Sequence, residues 1–198
     1  MSGNRLKNKG LLIDQNKPLE FTFDGKSYSG FEGDTLASAM IANGEMMMAR
    51  SFKYHRPRGV YSAGPEEPNA LVSLRSDGRL EPNCTAPTVE LYDGLDAHSQ
   101  NAWPSLSFDV MAINQLFSPL LVAGFYYKTF MGTGQKFWHF CEHFIRRAAG
   151  MGKASLDADP DRYEKANIFA DIVIIGSGPA GLAAAKAAAP SGAKILLV

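Results

Sequence analysis

Residues 170–198 constrain the fold of this chain more than any other stretch. They read, in order, as an apolar strand (ADIVIIG), a glycine turn (SGPAG), an alanine-rich helix (LAAAKAAAP) and a second apolar strand (AKILLV). Such a run predicts one β–α–β unit. Gly176, Gly178 and Gly181 place a G-x-G-x-x-G pattern at the strand-to-helix turn. The pattern is weak alone and informative here, after a strand and before a helix. Gly176 permits the tight turn, Gly178 lets a pyrophosphate approach the backbone, and Gly181 lets the helix pack closely on the strand. Pro179 suits the first helical turn, where its missing N–H costs nothing. The helix N-terminus offers free N–H groups and a positive dipole end to a diphosphate. Gly176, Ser177, Gly178, Pro179, Ala180 and Gly181 are therefore the candidate dinucleotide-binding residues.

A dinucleotide fold carries an acidic ribose ligand about 20 residues beyond the glycines, at the end of the second strand. Here the second strand, KILLV, ends at Val198. The expectation is a front part of a longer protein, cut inside a Rossmann-type domain. The glycine loop leaves NAD and FAD both open, because each presents a diphosphate and a ribose.

Charge narrows the partners. Lys plus Arg equals Asp plus Glu, 20 each, with a pI near 6.9. That balance points away from nucleic acid and from an anionic membrane. A 45% hydrophobic content over 198 residues can build one or two globular domains. Cys84 and Cys141 are far apart and form no disulfide framework, so a reducing cytoplasm is the expected home. The N-terminus, MSGNRLKNKG, lacks an apolar signal core. The most apolar segment, PLLVAGFYY at 119–127, is too short to span a membrane and is followed by Lys128. It reads as a buried or interface helix.

Residues 1–17 read as a polar leader. LEFTFDGKSYSGFEGD then alternates apolar and polar residues on both sides of Asp24-Gly25, a hairpin signal with a type I′ turn. Asp34-Thr35 caps a helix through LASAMIANG, with Gly44 as its stop. Residues 46–69 read as a long loop. A second hairpin, ALVSLR and RLEPN, turns at Ser76-Asp77-Gly78, and Asp93-Gly94 marks a further turn. Two hairpins with a helix between them predict a small β-grasp-like domain at 18–104. Residues 105–168 read as a helical connecting segment. FDVMAINQLF and KFWHFCEHFIRRAAG have helical spacing, Arg146 and Arg147 suit a C-terminal dipole end, and KASLDADPDRYEKAN, with Pro160, is a polar link.

The chain, read in order, resembles the N-terminal part of the alpha subunits of heterotetrameric sarcosine oxidases. GDTLASAMIANG, SFKYHRPRG, SAGPEEPNAL, GFYYKTFM, DPDRYE and DIVIIGSGPAGLAAA carry the resemblance. It implies a large subunit with NAD in its nucleotide domain and a folate-binding domain near its C-terminus. It implies beta, gamma and delta partner subunits, with FAD and FMN in the assembled complex. The family oxidises sarcosine with oxygen at a flavin on the beta subunit and passes the one-carbon unit to tetrahydrofolate. The catalytic residues of that oxidation are not in this chain on this reading, and the chain alone is expected to be inactive. An FAD-binding subunit of a related amine or opine dehydrogenase, and a scaffold subunit with structural nucleotide, are the alternatives.

The β-grasp segment also resembles plant-type ferredoxin domains, which hold a [2Fe–2S] cluster on four cysteine thiolates. The corresponding loop, MMMARSFKYHRPRG, has no cysteine, and only Cys84 stands at a ligand position. The expectation is a ferredoxin-like fold without an iron–sulfur cluster. The same loop gathers Arg50, Lys53, Arg56 and Arg58, with His55, around Tyr54. These are candidate anion or interface contacts. His139 and His143 share a helix face among aromatic residues and read as packing, as does the Met46-Met47-Met48 run, so no metal site is expected. The fold class is thus α+β followed by α/β: a cluster-less β-grasp domain, a helical linker, and residues 169–198 as a truncated dinucleotide-binding start.

Overall fold

The computed structural model describes residues 4–6, 9–76, 79–125, 130, 132, 134–148, 152, 155–159 and 162–198. The chain forms two compact units, residues 1–160 and 161–198.

In the first unit, β1 (Asp14–Phe23) and β2 (Lys26–Glu32) form an antiparallel hairpin. Asp24 and Gly25 both take positive φ, 49° and 75°, the type I′ geometry that Asp-Gly favours. β1 begins at Asp14, before the expected start at Pro18, and Asp14 pairs with Glu32 across an irregularity in the register. The leader also anchors itself. Arg5 donates two hydrogen bonds to the buried carboxylate of Asp34, at 3.2 and 2.6 Å.

Helix α1 (Leu36–Ala42) starts where the sequence expects it. The Thr35 hydroxyl accepts the Ser38 N–H, and the Ser38 hydroxyl accepts the Thr35 N–H, a reciprocal capping box. Gly44, at φ 84°, takes the left-handed conformation that ends the helix. Leu36, Ala37, Ala39, Met40 and Ala42 are buried, and most of them join Phe21, Phe23, Val72, Leu95 and Ala97 in one core.

The stretch read as a long loop contains a small ribbon, β3 (Ala49–Arg50) against β4 (Pro57–Arg58). β5 (Leu71–Ser76) and β6 (Arg79–Thr85) make the second hairpin. Asp77 and Gly78 of its expected turn lie outside the described residues. β7 (Leu95–Ser99) completes a sheet of order β2-β1-β7-β5-β6, parallel to β1 and antiparallel to β5. LDAHS does not read as a central strand. Its pattern works because Leu95 and Ala97 face the core, while Asp96 accepts a hydrogen bond from Thr22 at 2.7 Å and pairs with His98.

Beyond the sheet, Val110–Phe117 winds as a 3₁₀ helix rather than the expected α-helix. Asp109 caps it through the Met111 N–H, and none of its residues is buried, so no packed face imposes a 3.6-residue period. Helix α2 (Gln135–Ala148) follows, with Arg146 bonded to Glu142 one turn back. Parts of the apolar segment 119–127, the side chain of Arg147, and Pro160 and Asp161 lie outside the described residues. No helix among the described residues is long and apolar enough to cross a membrane.

The second unit is a β–α–β element. β8 (Ile172–Ile174) and β9 (Ile195–Leu197) pair in parallel, Ile172 opposite Ile195 and Ile174 opposite Leu197. Helix α3 (Pro179–Ala188) connects them, and Gly192, at φ 75°, turns the chain into β9.

Candidate functional site

The glycine turn sits between β8 and α3, and each glycine has a distinct steric reason. Gly176 has φ 100°, a conformation side chains rarely adopt, and its N–H donates to the Val198 carbonyl at 2.6 Å. At Gly181 an added Cβ would lie 1.8 Å from the Gly176 carbonyl oxygen and 3.5 Å from Ile174 Cγ2. Its role is therefore to let the helix close on the turn as well as on the strand. At Gly178 an added Cβ meets nothing within 4 Å. That residue caps the helix in an extended conformation, and its carbonyl accepts the Leu182 N–H at 2.9 Å.

Pro179 occupies the first helical turn, and that turn contains no acidic side chain. Backbone N–H groups of the first helical turn have no partner inside a helix, and the dipole makes this end positive. Ser177, Gly178, Pro179 and Ala180 are exposed, so the turn opens to solvent. Gly176 to Ala180 thus lie open at the N-terminal end of the helix, with Gly181 packed closely against the Gly176 carbonyl behind them.

The four loop cations separate into two groups. Arg50 is turned inward: its guanidinium donates to the carbonyls of Leu106 and His55, and its side chain is nearly covered. It ties the loop to residues 106–109. Lys53 Nζ and Arg56 Cζ lie 4.9 and 5.0 Å from the Tyr54 ring centre, and Arg58 stands exposed on β4.

Two buried carboxylates that the sequence does not single out, Asp109 and Glu67, hold this region. His55 Nδ1 lies 2.6 Å from Asp109 Oδ2, both buried, and Asp109 Oδ1 also accepts the Trp103 and Met111 N–H groups. Glu67 is buried and accepts four backbone N–H groups, from Tyr61 and Ser62 on one oxygen and from Asn69 and Ala70 on the other. Burial pushes its carboxyl up, but the four donors outweigh burial and leave it below the ordinary carboxylate value. A Glu in GPEEPN has the look of a surface residue, and only the closed loop reveals its partners.

Cys84 lies half-buried on β6, its thiol raised by burial and by Glu81. His143 packs edge-on against Phe144, with ring centres 5.8 Å apart.

Residues 16–102 match a family described as a 2Fe-2S iron-sulfur cluster binding domain. This finding overturns the expectation of a fold set apart as cluster-less, and with it the expected absence of an iron–sulfur cofactor. The first unit contains a mostly sheet region, and its residues 16–102 are what resembles that family. The donor set in this chain is two cysteines, Cys84 on β6 and Cys141 on α2, where such a cluster takes four thiolates. These residues alone do not fit the cluster. The family match also leaves the truncated Rossmann start without support of its own; the second unit stands as a β–α–β element.

The chain is 58% identical over all 198 residues to sarcosine oxidase subunit alpha of Rhizobium meliloti (strain 1021), covering 20% of that protein. It is 32% identical over 192 residues to sarcosine oxidase subunit alpha of Corynebacterium sp. (strain U-96), covering 96% of this chain and 15% of that one. Among solved structures, L-proline dehydrogenase from P. horikoshii aligns with all of this chain and 26% of its own, at TM-score 0.46 and 19% identity. The chain therefore spans a fifth or less of the length of these curated relatives. Along its whole length, it is a homologue of sarcosine oxidase alpha subunits.

Proposed function

We propose that this chain is the part of a sarcosine oxidase alpha subunit that holds the diphosphate of NAD at residues 176–181. The observation that carries the reading is the empty approach at Gly178, next to a helix end without acidic residues. Gly176 and Gly181 shape the turn, and the N–H groups of the first turn of α3 face the phosphates. NAD, when bound, brings a nicotinamide able to exchange hydride. This chain's contribution is to bind and orient the diphosphate. Sarcosine, oxygen, tetrahydrofolate and the flavins FAD and FMN belong to other parts of an assembly with beta, gamma and delta subunits.

The test is Gly178→Val in the full-length subunit. The fold is expected to persist, because the added atoms meet open space, while NAD released on denaturation falls at least tenfold. Unchanged NAD content would overturn the assignment. Release of FAD in place of NAD would move the loop to the flavin reading. Residues 1–198 expressed alone are expected to form no hydrogen peroxide from sarcosine, because the phosphate loop offers nothing that removes hydride from a secondary amine.

A further inference from the structure

The basic loop is not used by the dinucleotide reading. Residues 46–65 contain Arg50, Lys53, His55, Arg56 and Arg58 and no Asp or Glu. The loop is firmly braced. Arg50 holds the carbonyls of Leu106 and His55, the Tyr54 hydroxyl donates to the Leu121 carbonyl at 3.0 Å, and the Arg56 N–H donates to the Ser51 hydroxyl at 3.0 Å. The buried His55–Asp109 pair fixes its tip.

Lys53, Arg56 and Arg58 make no ion pair among the described residues. Lys53 lies over the rings of both Tyr54 and Phe125, and Arg56 over Tyr54, so two of the three cations are held in place without being neutralised. Beside them Phe52 is 44% exposed, at the rim of a cavity of about 140 Å³ that Arg58, Asn69 and Asn101 also line.

We propose that this ribbon is a docking surface for an acidic segment of a partner subunit. Carboxylates of the partner meet Lys53, Arg56 and Arg58, and an apolar side chain of the partner covers Phe52. Three observations converge on this occupant. The cations have no ion pair among the described residues, so a partner's carboxylates complete them. Lys53 and Arg56 are held by stacking, so docking orders little there that is not already ordered. Arginine and aromatic residues stand together, as they do at the energetic centres of interfaces. The relatives are named as subunits, so partners exist for such a surface to meet.

The experiment uses the full-length alpha subunit co-expressed with its partner subunits. The triple variant Lys53→Glu, Arg56→Glu, Arg58→Glu is compared with the control Lys136→Glu, Lys165→Glu, Lys186→Glu. Association is measured by sedimentation at low and at 0.5 M salt, with cofactor content and thermal unfolding in parallel. The loop variant is expected to unfold as wild type does, to associate at least tenfold more weakly at low salt, and to lose most of the salt dependence. Should the loop variant disturb folding, the milder pair Arg56→Gln, Arg58→Gln is read the same way. Unchanged association, or an equal loss in the control, would overturn the proposal. So would intact association with depleted flavin, which would mark the cations as phosphate ligands. NAD content is expected to stay unchanged, which separates this outcome from failure of the glycine-loop reading.

Discussion

Replacing Glu67 by Gln should weaken the first unit far more than its place in a Pro- and Gly-rich loop suggests. The carboxylate accepts N–H groups from Tyr61 at 2.7 Å and Ser62 at 2.5 Å on Oε2, and from Asn69 at 2.8 Å and Ala70 at 3.2 Å on Oε1. It is 3% exposed, so water does not replace these bonds. Gln keeps one acceptor oxygen and turns the other position into an amide that can only donate. Two backbone donors then face a donor. Hydrogen bonds to a charged group contribute about 1.5–3 kcal/mol each, so two of them set an upper range of roughly 3–6 kcal/mol. Partial opening of the loop to water reduces this, and about 3 kcal/mol is the expected loss. Ala should cost about as much or more, since all four donors lose their acceptor.

The assay is urea unfolding of wild type and Glu67→Gln, with hydrogen exchange at the amides of Tyr61, Ser62, Asn69 and Ala70. The pH dependence adds a second reading. The carboxyl lies below its ordinary value of 4.5 in the folded protein, so its contribution is fully present above pH 4.5. It is lost as pH falls through the lower folded value, so wild type and Gln variant should converge in acid. A Gln variant within about 0.5 kcal/mol of wild type at pH 7, with all four amides still protected, would refute the reasoning.

The other predictions rest on separate groups. Gly181→Ala should disrupt the β8–α3 turn, because the methyl carbon would sit 1.8 Å from the Gly176 carbonyl oxygen; loss of about 1–3 kcal/mol and of bound NAD in the full-length subunit is expected, read by local hydrogen exchange and cofactor content. Asp34→Ala should cost about 3–5 kcal/mol in a urea titration, since it strands the part-buried Arg5 guanidinium and removes the acceptor of the Ser38 hydroxyl and Phe31 N–H. Cys84 should react with iodoacetamide at pH 7.5 more slowly than a free cysteine, because burial and Glu81 raise its thiol; an equal rate would contradict that.

Local chemistry fixed much of this protein from sequence. Asp24-Gly25 dictates its hairpin because both residues tolerate positive φ, and Thr35 with Gly44 brackets α1 because caps act over a single turn. The alternation of β1, β2 and β5 and the glycines at 176, 178 and 181 are equally local signals. The strand Leu95–Ser99 was not legible, because its place in mid-sheet depends on two neighbours far away in sequence and its outward residues are polar. The 3₁₀ winding of Val110–Phe117 was hidden for a related reason: apolar spacing predicts a helix only where something buries the stripe, and none of these residues is buried. The basic loop shows the division most clearly. Sequence supplied five positive or titratable groups together, and tertiary contact sorted them: Arg50 inward onto carbonyls, His55 onto a buried carboxylate, and Lys53, Arg56 and Arg58 without counter-ions among the described residues. Charge is a property of the residue, whereas its availability depends on which distant groups the fold brings within hydrogen-bond reach.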